Sequence, residues 1–164
     1  MTGIKLKFAP PNGQTYEKGD FKALCRSTPI PYGSLPRYLA NPFLYESLCP
    51  PRLWCGWLVG EKALYDLVVN HYPEERAKSG SGEHLACDIP FLLPDIVRAL
   101  LKVPAALGHL VDVIDAAKPD GEFDYALVVG NNYEGLLPRQ DILSLGATMF
   151  ESKPPEWFLN NRCW

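Results

Sequence analysis

Two stretches of this sequence, residues 53–59 and 123–129, place apolar side chains on successive positions, and nothing else in the chain constrains its fold as tightly. Leu53, Trp54, Cys55, Gly56, Trp57, Leu58 and Val59 form the first run, and Tyr125, Ala126, Leu127, Val128 and Val129 carry the second. A strand with one wet face alternates polar and apolar residues, whereas a strand covered on both faces does not. Both runs therefore predict buried central strands. Each also ends alike, because Val59-Gly60-Glu61 and Val129-Gly130-Asn131 both lead from an apolar strand through a glycine to a polar residue.

Between the runs the apolar period changes from 2 to about 3.6. Leu64, Leu67, Val68 and His71 make one stripe of a helix over residues 61–71, which Pro73 closes. Leu93, Ile96, Val97, Leu100, Val103, Leu107, Leu110, Val111 and Ile114 keep helical spacing, and Pro104 splits that stretch into two helices or one sharply kinked helix. A strand–helices–strand order lets the two strands run parallel through a long right-handed crossover. The predicted class is α+β, or α/β if the strands are parallel: a small sheet with two buried central strands and helices packed on it.

The flanks are more punctuated. Ile4, Leu6 and Phe8 alternate with Lys5 and Lys7, the pattern of an edge strand, and residues 78–82 form a flexible loop. Residues 28–51 contain Pro29, Pro31, Pro36, Pro42, Pro50 and Pro51, so only short helical turns fit, near 35–40 and 43–48. Tyr32, Tyr38, Phe43 and Tyr45 mark that Pro-rich segment as an ordered cover with aromatic anchors. Pro119, Asp120 and Gly121 predict a turn, and a short helix follows near 141–145. The aromatic tail, 154–164, should begin a helix at Pro155 and dock Trp157, Phe158 and Trp164 on apolar surface. At 164 residues the whole chain, 1–164, reads as a single globular domain.

Composition excludes several function classes. No apolar run reaches the roughly 18 residues of a membrane span, and Met1 to Lys7 lacks the apolar core of a secretion signal. Five cysteines at spacings that match no disulfide framework predict reduced thiols and a cytoplasmic location. A net charge of −3 argues against nucleic acid and anionic membrane as partners. The basic N-terminal segment, with Lys5, Lys7, Lys18, Lys22 and Arg26, is the one feature that favours nucleic acid, and no recognition motif accompanies it. No phosphate-binding loop, dinucleotide fingerprint, zinc pattern or nucleophile elbow occurs, so neither a cofactor nor a metal is expected.

Two local groupings are candidates for catalysis. His84 lies three positions before Cys87, where an imidazole lowers a thiol pKa and makes a nucleophile, although an inert buried Cys87 explains the same residues. His109, Asp112 and Asp115 stand at three-residue steps, which on a helix places an imidazole and two carboxylates along one side, as does a plain solvated face. Ligand binding points elsewhere. If the two central strands are parallel, their terminal loops emerge on one side and bring Glu61 together with Asn131, Asn132, Tyr133 and Glu134. As surface positions, Asn132 and Glu134 should tolerate substitution within roughly 1 kcal/mol.

The reading with the fewest assumptions is a binding or protein-interaction module that acts through aromatic surfaces around Tyr32 to Tyr45 and the Trp157 to Trp164 tail, with a protein or small molecule as partner and a homodimer as one form. The alternative is a small cofactor-independent enzyme, a hydrolase, isomerase or lyase, that uses His84, His109, Asp112 or Glu134 as acid–base groups.

Overall fold

A computed structural model describes residues 27–73 and 89–160, and these build an α+β fold around a six-stranded antiparallel sheet. The strands are β1 (Ile30–Pro31), β2 (Leu53–Leu58), β3 (Asp112–Ala117), β4 (Phe123–Asn131), β5 (Gly135–Leu136) and β6 (Glu156–Leu159). Their order is β1-β6-β2-β4-β3, and β5 pairs with β4. The helices are α1 (Arg37–Ala40), α2 (Glu61–His71), α3 (Ile89–Leu101) and α4 (Arg139–Met149), with 3-10 turns at Tyr32–Ser34, Pro42–Leu48 and Ala105–Leu110. The edge strand expected at Ile4 to Phe8, the loop at 78–82 and Trp164 of the aromatic tail lie outside the described residues.

Both apolar runs are central strands, and they are neighbours. They pair antiparallel, however, with Trp54 opposite Asn131 and Leu58 opposite Ala126, which overturns the parallel crossover and the α/β alternative. The physical reason sits in residues 112–117, where helical spacing misled. Val111, Val113 and Ile114 are β-branched, and this stretch is strand β3, joined to β4 by a tight turn in which Gly121 N–H donates to Lys118 O at 3.0 Å. Because β4 doubles back on β3, it must oppose β2. The crossover through α2 and α3 exists, but it leads from β2 to β3, two places away.

One sheet face carries Leu53, Cys55 and Trp57 of β2, Leu127 and Val129 of β4, and Trp157 and Leu159 of β6. The helices cover part of it, as Leu64, Val68, Leu93, Val97 and Leu145 pack with Trp57, Leu127 and Val129. The Pro-rich cover takes the rest, as Ile30, Tyr38 and Leu39 pack with Leu53, Cys55, Trp157 and Leu159. The opposite face clusters Ile114, Ala116, Ala126, Val128 and Phe158 beside Trp54. Small residues suit that face because the sheet curls until Ala116 of β3 bridges Asn160 at the end of β6. Gly56 is required at the tightest point: a Cβ there would collide with the Leu127 carbonyl, next to the register shift between Trp54 and Gly56.

Several local readings hold and others do not. Helix α2 has the expected bounds, and the prolines restrict residues 31–48 to single turns. The helix expected from Pro155 is instead β6, yet Trp157 and Phe158 dock as expected and are buried. An aromatic pair within a short alternating segment satisfies a strand as well as a helical first turn. In the last turn of α3, Arg98 fixes the approach to β3 by donating from Nε to Gly108 O at 2.8 Å and from Nη2 to Val111 O at 2.6 Å. Among the described residues, no helix is long and apolar enough to cross a membrane, and Cys49 and Cys55 are free thiols.

Candidate functional site

The turn that follows β4 is built by its own amides. Asn131 is buried, and its Oδ1 accepts from Tyr133 N and Glu134 N, both at 2.9 Å, which closes the turn in the manner of an Asx loop. Its Nδ2 donates to Glu134 Oε2 at 2.6 Å. Gly130 allows the sharp return because a Cβ there would strike the Gly135 carbonyl. The sequence therefore groups Asn131, Asn132, Tyr133 and Glu134 as expected. Glu61 is absent from this group. Since β2 and β4 are antiparallel, Val59 N–H donates to Tyr125 O at 2.9 Å and Glu61 follows at the far end of the sheet from Asn131.

Asn132 has a structural role, and its burial corrects the expectation that it is a surface position. It is buried; its Oδ1 accepts from Leu53 N at 2.8 Å, and its Nδ2 donates to Leu39 O at 2.7 Å and to Pro51 O at 3.0 Å. Those two carbonyls belong to the Pro-rich segment, which cannot satisfy them by regular pairing. One side chain thus fastens the cover to the edge of β2. Its loss would leave a buried N–H and two carbonyls without partners.

Tyr133 and Glu134 face outward with Arg52. The Tyr133 hydroxyl donates to Pro50 O, and its ring meets Phe43 edge-on at a centroid distance of 5.5 Å. The Arg52 guanidinium lies 5.6 Å from the ring centroid and 3.9 Å from Glu134 Oε2. Desolvation raises the Tyr133 pKa, Cys49 and Glu46 add to the rise, and Arg52 opposes it. Phe43 and Leu44 remain 64% and 73% exposed, far more than a cover residue needs, although Tyr38 of the same segment is buried. The four aromatic anchors thus divide. Tyr38 and Tyr45 pack together edge-on, Tyr32 stacks on Trp157, and Phe43 turns outward.

No family model, curated protein or solved structure matches the chain. The geometry must carry the functional reading.

The catalytic candidates do not assemble along one helix. His84 and Cys87 lie outside the described residues. His109 is exposed in the 3-10 turn Ala105–Leu110, while Asp112 and Asp115 belong to β3. Residues three apart on a strand point to opposite faces, so the proposed side of three acid–base groups does not exist. Asp112 also accepts from Val113 N at 2.8 Å. Both aspartates border a hollow of about 470 Å³ that Phe91 and Tyr125 share.

Sequence reasoning missed two features. The outward position of Phe43, Leu44 and Arg52 belongs to a segment that is bonded through Leu39 and Pro51 to Asn132 from across the fold. A second hollow, of about 390 Å³, lies beside Trp57 and Phe150 and is bordered by Glu151, Lys153 and Glu156. Its parts come from β2, α2 and the α4–β6 connection, so no local motif announces it.

Proposed function

We propose that this chain is a binding module that engages a protein partner through the face formed by Phe43, Leu44, Arg52 and Tyr133. The observation that carries this reading is the exposure of Phe43, which meets the Tyr133 ring edge-on beside the Arg52 guanidinium, with Leu44 exposed next to it in the same turn. Single exposed apolar residues are ordinary on protein surfaces, but adjacent ones grouped with Tyr and Arg have the composition of an interface centre. The face is also preorganised. Tyr133 is held by its bond to Pro50 O and its contact with Phe43, so little side-chain freedom is left to lose on docking. Glu46 and Glu134 at its margin suit a polar rim.

The test compares the wild type with a Phe43→Ser/Leu44→Ser variant as baits, with thermal melts to verify that both are folded. Sedimentation equilibrium of each asks whether a second copy is the partner. The reading expects a protein, or self-association, that the wild type retains and the double variant loses at an unchanged melting temperature. Retention that is indifferent to the double substitution would remove this face from consideration.

A further inference from the structure

The interaction face does not account for the hollow beside Trp57 and Phe150. It lies where the end of β2, helix α2 and the α4–β6 connection meet, and its volume of about 390 Å³ is within the size range of small-ligand sites. The rings of Trp57 and Phe150, stacked at 4.6 Å with an interplanar angle of 3°, line it, and Leu67 and Met149 extend the apolar wall. Three charged side chains border it: Glu151, Lys153 and Glu156, two carboxylates against one ammonium.

The segment that presents these charges is fixed from several sides. Ser152 N–H donates to Gly146 O at 2.9 Å, Lys153 N–H donates to Phe150 O at 2.9 Å, and Trp57 Nε1–H donates to Lys153 O at 2.8 Å. Glu151 and Ser152 have φ of 52° and 61°, a left-handed conformation that non-glycine residues adopt at a cost and that these bonds maintain. Glu151 therefore stays at the border of the cavity.

A hollow with one apolar wall and a net negative border selects a molecule with an apolar body and one positive charge, since the body gains from burial while the charge keeps a counterion at the rim. We propose that this hollow binds an organic ammonium ion, its hydrocarbon part against Trp57, Phe150 and Leu67 and its charge between Glu151 and Glu156. A free aryl- or alkylamine and a lysine side chain of a peptide share this chemistry.

Isothermal titration calorimetry with four probes tests the assignment: phenethylammonium, phenethyl alcohol, 3-phenylpropionate and N-acetyl-lysine amide. Phenethylammonium or the capped lysine should saturate at millimolar concentration, the tighter of the two naming the source. The alcohol should bind at least about fivefold more weakly than the amine, and the carboxylate not at all. A Glu151→Gln/Glu156→Gln variant should lose about tenfold in affinity for the cation. Ala63 borders the cavity from the exposed side of α2, so Ala63→Tyr should fill the mouth and abolish binding while the protein remains folded by circular dichroism. The Phe43→Ser/Leu44→Ser variant should bind the amine as the wild type does, which separates this site from the interaction face. No saturable binding of either cation, equal affinity for the carboxylate, or undiminished binding by Ala63→Tyr overturns the proposal.

Discussion

Two polar loops beside the sheet have opposite uses in the fold. Residues 131–134 engage their amides inward: Asn131 closes the turn, and Asn132 fastens the Pro-rich cover to β2. Residues 151–156 instead leave Glu151 and Lys153 exposed beside a partly apolar hollow, fastened by backbone bonds and by the Trp57 indole N–H rather than by side chains of their own. The difference lies in what each loop borders. A Pro-rich segment has carbonyls that no ladder satisfies, so a neighbouring asparagine is recruited to them, whereas a helix end closes on its own backbone.

The comparison can be broken at the cover's other attachment. Trp157 is buried, stacks parallel on Tyr32 with centroids 6.4 Å apart, and donates from Nε1 to Tyr32 O at 3.2 Å. Trp157→Ala should cost about 3–5 kcal/mol in a urea titration. An unchanged midpoint would mean that the cover is held without β6.

A smaller, pH-dependent effect comes from Cys55 beneath the same cover. Burial pushes its thiol up to about 12 from an ordinary 9.0. The raised native value means that stability is fully present below pH 9.0, where both states hold the proton, and is lost as pH rises toward 12, where only the unfolded thiol releases it. The loss attributable to Cys55 should approach about 1.4 kcal/mol per pH unit in that window, and Cys55→Ala should flatten the curve. Thiol reagents at neutral pH should modify Cys49 in the native protein and spare Cys55; equal rates would show that the cover opens readily.

The smallest effect is expected at the outward side of the first loop. Arg52 and Glu134 approach at 3.9 Å with both side chains more than 40% exposed, so Arg52→Ala should change stability by less than about 1 kcal/mol. A larger loss would mean that Arg52 supports Tyr133 structurally.

Much of the fold was legible because burial writes itself into local patterns. The runs 53–59 and 123–129, the stripe Leu64, Leu67, Val68 and the prolines of 28–51 each constrain their own backbone. Residues 111–117 were not legible, since Val111 and Ile114 fit both a helical stripe and a strand, and only pairing with β4 decides between them. That ambiguity reversed the relative direction of β2 and β4 and with it the place of Glu61. The site was less legible still. Asn132 and Glu134 are polar residues two positions apart, yet one is bonded to Leu39, Pro51 and Leu53 and the other reaches solvent, a distinction set by residues about 80 to 93 positions away.

The most direct test of this account is therefore a pair of urea titrations, of Asn132→Ala and of Glu134→Gln. Asn132→Ala should lose about 3 kcal/mol, because a buried N–H of Leu53 and the carbonyls of Leu39 and Pro51 are left without partners. Glu134→Gln, which keeps an acceptor for Asn131, should stay within about 1 kcal/mol of the wild type. Equal stability of the two variants would contradict the claim that Asn132 fastens the cover to the sheet.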